Sequence, residues 1–195
     1  MRADLDIINN WVAQGSRVLD LACGDGELLA HLEQRGVAGY GLEIDPNNIT
    51  ACIRRGVDVL EQNLDEGLDN FDEQSYDTVI MTQALQVLRR PDLTLDEMLR
   101  VGREAIITFP NFAYWRCRAH LALKGRMPVS KTLPHHWYDT PNIHLSTFAD
   151  FERLCDAKQI RIRDRAVGNS QYEAHWVSHL WPNLFGEVAI YRVCR

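Results

Sequence analysis

Arg17-Val18-Leu19-Asp20-Leu21-Ala22-Cys23-Gly24-Asp25-Gly26-Glu27-Leu28-Leu29, joined further on by Tyr40-Gly41-Leu42-Glu43-Ile44-Asp45, decides the fold. An apolar run fit for a buried strand leads into a two-glycine turn, a helix follows, and a second strand ends in a carboxylate. Gly24 and Gly26 lack Cβ atoms, so the backbone can turn tightly and a ligand can approach it closely. The helix after the turn offers unpaired N–H groups and a partial positive charge to that ligand. Glu43, at the end of the second strand, can accept hydrogen bonds from two ribose hydroxyls. Strand, glycine turn, helix, strand, acid, in that order, is half of a nucleoside-binding α/β domain.

Outward from this unit, hydrophobic periodicity and punctuation predict alternating elements. A short amphipathic helix is expected over 7–14, a strand over 17–22, a helix over 27–35 stopped by Gly36, and a strand over 39–44. Asp45 caps the next helix, Pro46 occupies its first position where a missing N–H costs nothing, and Gly56 ends it. Strands follow over 57–62 and 76–82, then a helix over 93–101 with Leu95, Met98 and Leu99 on one face, and a strand over 104–109. Thr147 and Asp150 form a capping pair for a helix over 148–158. The last strands, 160–166 and 187–194, are expected as an antiparallel hairpin edge. Such alternation implies an α/β fold with a doubly wound, mainly parallel sheet. At this length, residues 1–195 are expected to be one domain that buries roughly 70% of the surface of its unfolded chain.

The nucleoside is narrowed by the turn. A dinucleotide fingerprint, G-x-G-x-x-G, would need glycine where Leu29 stands. Asp25 and Glu27 also flank the turn, and a pyrophosphate would not welcome their charge. A turn that binds nothing is the plain alternative. The spacing Asp20-x-Ala22-x-Gly24-x-Gly26 instead resembles the first motif of the class I S-adenosylmethionine (SAM) methyltransferases, a Rossmann-like fold. That resemblance implies that Asp20 lies under the methionine end of the ligand. Ala22, Cys23, Gly24 and Gly26 then form the bend around it, and Glu43, followed by Ile44, binds the ribose. Ala22 stands where the motif often has glycine.

Beyond the first unit the signals thin out. At the end of the third strand, Asn63 can accept a hydrogen bond from an adenine amino group and Leu64 can pack on the base; equally, Asn63 and Asp65 can shape a turn. Gln83, at the end of the fourth strand, is expected to line the pocket. No catalytic residue announces itself, and methyl transfer can run on positioning alone. The N/D-P-P-Y motif of base amino-methylation is absent after the fourth strand. His175 and His179 have a metal-compatible spacing without an H-E-x-x-H frame, and His135, His136 and His144 lie in a loop region; none is read as a metal ligand.

Composition excludes several classes. The chain is 46% hydrophobic and 25% charged, ordinary for a globular protein. A net charge of −6 argues against a general nucleic-acid binder. The first residues show no secretory h-region, and no apolar run has the length of a membrane span. Five scattered cysteines fit neither a disulfide framework nor a C-x-x-C zinc site, so a reducing cytoplasm is the expected compartment.

Residues 110–145 do not belong to a minimal fold. Arg116, Arg118, Lys124, Arg126 and Lys131 run with no acid before Asp139, and Phe112, Tyr114, Trp115, Trp137 and Tyr138 concentrate the aromatics. A lid over the pocket and a docking surface are both consistent with this make-up. Three blocks carry a more specific likeness: Phe109-Pro110-Asn111-Phe112-Ala113-Tyr114-Trp115, Gly125-Arg126-Met127-Pro128-Val129-Ser130, and Trp137-Tyr138-Asp139-Thr140-Pro141-Asn142-Ile143-His144. With Leu85-Gln86 and Glu97-Met98-Leu99-Arg100-Val101-Gly102, they resemble the methionine biosynthesis protein MetW family over nearly the full chain. The resemblance implies a SAM-methyltransferase-like scaffold that binds SAM or S-adenosylhomocysteine. It also implies an accessory role beside MetX, the homoserine O-acyltransferase, with Tyr114, Trp115, Arg116, Arg126, Trp137 and Tyr138 as the expected contacts. The acyl chemistry would belong to the partner, since no G-x-S-x-G elbow is present. An active small-molecule methyltransferase is the alternative.

Overall fold

The computed structural model describes residues 3–168 and 180–195. Five strands run parallel: β1 (Arg17–Leu21), β2 (Ala38–Glu43), β3 (Val59–Glu61), β4 (Tyr76–Thr82) and β5 (Gly102–Pro110). Two more, β6 (Arg161–Gly168) and β7 (Val188–Cys194), complete one sheet in the order β3-β2-β1-β4-β5-β7-β6. β7 is antiparallel to both of its neighbours, so the expected antiparallel edge is present. The last strand in sequence is tucked inside, and β6 forms the rim.

Helices cover both faces: α1 (Ala3–Trp11), α2 (Glu27–Glu33), α3 (Pro46–Arg55), α4 (Pro91–Val101), α5 (Trp115–Lys124), α6 (Phe148–Ala157) and the single turn α7 (Pro182–Phe185). Alternation along the strands splits the core accordingly. Leu19, Leu21, Val79, Met81, Ile107 and Phe109 face one layer, with α4 and α6. Val18, Ile80 and Ile106 face the other, with α1 and α2. Strands buried on both sides read as near-continuous apolar runs.

Where capping chemistry is local, the expected boundaries hold. Asp45 accepts the Asn47 N–H at 2.8 Å, and Gly56 (φ 80°) stops α3. Thr147 Oγ1 accepts the Asp150 N–H at 3.1 Å and donates to the Asp150 carboxylate at 2.6 Å. Other boundaries moved for identifiable reasons. β3 is shorter than expected because the Val57 N–H closes the end of α3 on Cys52 O and does not join the sheet. α4 begins at Pro91, and β5 starts directly at its end. α5 was not foreseen: its N-cap residue, Tyr114, makes no side-chain capping bond, so the sequence carries no start signal.

Leu29 is resolved by complementarity. A Cβ on Gly39 would lie 2.7 Å from Leu29 Cδ2, and one on Gly41 would lie 3.1 Å from Leu29 Cδ1 and 2.6 Å from Cys23 Sγ. The helix keeps its leucine because the strand beneath it carries the glycines, and the close packing of α2 on β2 survives.

Candidate functional site

Strand order turns back between β1 and β4, and in open α/β sheets ligands bind beyond the strand carboxyl ends at that point. There β1 passes into Ala22 (φ 53°), Cys23, Gly24 (φ 59°), Asp25 and Gly26 (φ 76°). Three left-handed residues in five bend the chain sharply. The two glycines serve different ends. A Cβ on Gly26 would stand 3.0 Å from Cys52 Sγ and 3.3 Å from Val57 Cγ2, so its bareness lets the bend pack on α3. A Cβ on Gly24 would meet nothing within 4 Å, so that face of the bend is open.

Ala22 bears strain that glycine would not, since the left-handed conformation costs an L-residue about 1–2 kcal/mol. Gln83 (φ 56°), just past the end of β4, is in the same state. Among the described residues only four non-glycines have positive φ, and these two stand at the carboxyl ends of paired strands on either side of the crevice. Strain of this kind concentrates at ligand sites. Ala22→Gly is expected to raise stability by about 0.5–1 kcal/mol, part of the relief being returned as unfolded-chain entropy; urea denaturation of the two proteins measures it.

Glu43 is 6% exposed and reaches from the end of β2 to the bend. Its Oε2 accepts the Gly24 N–H at 2.8 Å, and its Oε1 accepts the Ile44 and Asp45 N–H groups at 2.8 and 3.0 Å. A carboxylate has about four acceptor positions. Three are filled by backbone, and the remaining one is on Oε2, the oxygen that accepts the Gly24 N–H. The two ribose hydroxyls expected from sequence therefore meet an acid that already clasps the bend. Ile44, beside it, is 56% exposed. Asp25 pairs with Arg55 at 2.6 Å, which offsets its charge at the turn.

Asp20 is buried on β1, on the face it shares with Val18. Beneath the bend Cys23 Sγ and Cys52 Sγ are 3.8 Å apart, and the Cys52 thiol lies 3.2 Å from Gly24 O. Burial, then the nearby Asp20 carboxylate, pushes the Cys23 thiol far above the ordinary range; burial also raises Cys52. Both are therefore protonated packing groups and not nucleophiles.

At the end of β3, Asn63 caps a short 3-10 turn and its Oδ1 accepts the Asp65 N–H at 3.1 Å. Leu64 is buried in the core layer with Leu42 and Leu68. Gln83 is fixed by its N–H, which reaches Thr108 O at 3.0 Å and Thr108 Oγ1 at 3.1 Å. Its carbonyl accepts the Gln86 side-chain amide at 2.6 Å. Gln86 has a second role: its backbone carbonyl receives the N–H groups of Ile143 and His144, both at 3.0 Å. It ties the segment between β5 and α6 to the crevice. Gln86 and His144 stood in the family-like blocks, but no spacing rule assigned them this tether. His135 and His136 are exposed, and His175 and His179 lie outside the described residues.

That segment is closed at its base. The Phe112 N–H meets Ser146 O at 3.0 Å, and the buried Asn111 donates to Asn183 O and Gly186 O at 3.1 and 2.8 Å. Above this neck stands α5, then a loop that returns past Gln86. Of fifteen exposed large hydrophobics among the described residues, nine are here: Trp115, Leu121, Leu123, Met127, Val129, Trp137, Tyr138, Ile143 and Leu145. Patches of this kind mark interaction surfaces. Arg116 lies 5.5 Å from the centre of the Trp115 ring. Tyr138 meets Trp137 edge-on at 5.7 Å and stacks on His136 at 5.4 Å. Of the six contacts expected from sequence, Tyr114, Trp115 and Arg116 gather at the start of α5, Trp137 and Tyr138 form a second ledge, and Arg126 lies exposed just past the helix.

A family model described as methionine biosynthesis protein MetW matches residues 2–193. A bifunctional methionine biosynthesis protein MetXA/MetW of Rhodopirellula baltica is 38% identical over 200 residues, covering 97% of this chain and 32% of that protein; the chain spans about a third of its relative's length. Among solved structures, the magnesium protoporphyrin IX methyltransferase of Synechocystis PCC 6803, with bound SAH, superposes with a TM-score of 0.70 at 17% identity, over 98% of this chain and 81% of that one. The cyclase SpnF gives 0.67 at 17% identity, over 98% and 80%. The fold is that of the class I SAM methyltransferases. Identities this low speak for the fold alone, and the fold carries both a methyltransferase and a cyclase.

Proposed function

The chain belongs to the methionine biosynthesis protein MetW family, and from that membership we propose that it is an accessory subunit that docks on, and supports, a MetX-type homoserine O-acyltransferase. The observation that carries this reading is the necked segment between β5 and α6, where most of the exposed large hydrophobics among the described residues stand among basic side chains with no ion-pair partner among those residues. The relative whose printed name joins MetXA and MetW supports it: within one polypeptide the two units meet at high effective concentration. The acyl transfer belongs to the partner, and this chain contributes a surface and a ligand-binding scaffold.

The nucleoside that suits the bend is SAM or S-adenosylhomocysteine. Glu43 Oε2 has the acceptor position for a ribose hydroxyl, Ile44 offers an exposed apolar face for the base, and the open side of Gly24 leaves room for the amino-acid portion. Asp20, Ala22, Cys23 and Gly26 shape the bend from beneath, while Asn63, Leu64 and Gln83 bound the crevice at the ends of β3 and β4. When bound, SAM would supply a sulfonium methyl group. The strained turns at Ala22 and Gln83 support methyl transfer to a small molecule as a second reading.

One experiment separates the two. The purified protein is mixed with a MetX-type acyltransferase, and complex formation, homoserine acylation and S-adenosylhomocysteine release are measured with and without SAM. The accessory reading expects a complex and at least a severalfold rise in acylation. Neither a complex nor a rise would sink it, and release of S-adenosylhomocysteine in the presence of a small acceptor would favour the second reading.

A further inference from the structure

All five basic side chains of the segment between β5 and α6, Arg116, Arg118, Lys124, Arg126 and Lys131, have no ion-pair partner among the described residues. Ten of the other fifteen described Lys and Arg residues do. The segment has one acid, Asp139, against these five cations, while the rest of the chain holds twenty-six acids against sixteen bases. Among the described residues, then, no ion pair matches its positive charge.

Part of that charge surrounds a hollow. A cavity of about 330 Å³ lies between α5 and the facing 128–131 loop, with Arg116, His120 and Lys131 on its walls and Cys117 among its lining residues. The loop is held in shape: the Ser130 N–H reaches Leu133 O at 2.9 Å, and the Leu133 N–H returns to Ser130 Oγ at 3.2 Å. Lys131 thus projects from a fixed turn. Trp115 and Val129, both exposed, continue the apolar patch around it. A charged socket within an apolar, aromatic ring is the arrangement in which one partner side chain contributes much of the affinity.

We propose that this cavity receives an acidic side chain of the docking partner, its carboxylate lodged between Arg116, Lys131 and His120; the proposal rests on the docking reading above. A carboxylate matches the planar fork of Arg116. Glu187, immediately before β7, also lines the cavity and has an interaction of its own. The position of the hollow inside the apolar patch assigns the carboxylate to a macromolecular partner and not to a free metabolite.

The test measures the affinity of the MetX-type partner for wild-type protein, Lys131→Glu, Arg116→Gln and Lys124→Glu at low and high salt, with circular dichroism to verify folding. Lys131→Glu is expected to weaken the complex at least tenfold and Arg116→Gln severalfold, with the Lys131→Glu loss shrinking at high salt. Lys124→Glu, which changes charge on the same helix without lining the cavity, is expected to cost less than threefold. Equal losses at Lys124 and Lys131 would mean diffuse attraction and overturn the socket. Wild-type affinity in Lys131→Glu and Arg116→Gln would overturn it while the docking reading stands. Absence of any wild-type complex would remove both. Titration of the free protein with acetate and succinate, followed at the His120 ring by NMR, covers the other source: saturation below millimolar concentration would assign the hollow to a small free acid and overturn the assignment to the partner.

Discussion

Glu43→Ala is expected to abolish measurable binding of S-adenosylhomocysteine and to lower the stability of the protein at the same time. The two losses share one cause. The carboxylate joins the end of β2 to the bend after β1 through the Gly24, Ile44 and Asp45 N–H groups, and its last acceptor position is on Oε2, the oxygen bonded to the Gly24 N–H. Without it a ribose hydroxyl loses a charge-assisted hydrogen bond, and the bend loses the clasp that shapes it. Together these are worth about 2–4 kcal/mol of binding, roughly a 30- to 1000-fold change. Because Glu43 is nearly buried, its removal also leaves donors short of partners, at about 1–3 kcal/mol of stability. Glu43→Gln separates charge from shape. Its amide oxygen can still serve Ile44 and Asp45, but its NH2 then opposes the Gly24 N–H, so an intermediate loss is expected in calorimetry and in urea. Should Glu43→Ala bind S-adenosylhomocysteine as wild type does, the ribose lies elsewhere; should wild type fail to bind it at all, alone and in complex, the bend is structural only.

The bend and the acid of this candidate site were legible in the sequence, but not their wiring. Everything set by a few adjacent residues was legible: the glycine bend, the acid one strand over, the Asp45-Pro46 opening and Gly56 stop of α3, and the Thr147–Asp150 cap. What depends on distant partners was not. Leu29 looked like an obstacle because a helix face was considered without the strand beneath it, and Gly39 and Gly41 are what accommodate it. Glu43 was expected to accept two ribose hydroxyls, and its clasp on the bend was not foreseen, because the three N–H groups it satisfies are aimed by backbone angles that residue types alone do not fix. α5 begins without a capping side chain, so a helix was hidden inside what looked like a long loop. The placement of β7 between β5 and β6 is a long-range pairing, and from sequence only its antiparallel sense could be expected. Gln86 shows the same limit in one residue: its role depends on β4, on the strained turn at Gln83 and on a segment that returns more than fifty residues later.

The double variant Trp137→Ala, Tyr138→Ala is expected to weaken the complex with a MetX-type acyltransferase by about 2–4 kcal/mol, roughly 30- to 1000-fold, the range of aromatic anchors at an interface centre. The two rings are 75% and 69% exposed, so their removal should change stability by no more than about 0.5 kcal/mol. Their exposure is ordered: Trp137 stands at 89° to Tyr138, and Tyr138 lies within 4° of parallel to His136. A ledge that already holds its shape gives up little side-chain entropy on association, which is why large rigid rings contribute more than flexible apolar ones of equal area. The same variant should leave S-adenosylhomocysteine affinity within about threefold of wild type, a change under 1 kcal/mol, because Glu43, Gly24 and Ile44 are untouched. That pairing of outcomes is what distinguishes a docking face from a lid. A lid stripped of its aromatics loses ligand and keeps partner; a docking face loses partner and keeps ligand. Acylation measured at saturating variant protein then tells whether the ledge only holds the acyltransferase or also activates it: activation restored at high concentration assigns these rings to affinity, while activation still absent assigns them to the active complex itself.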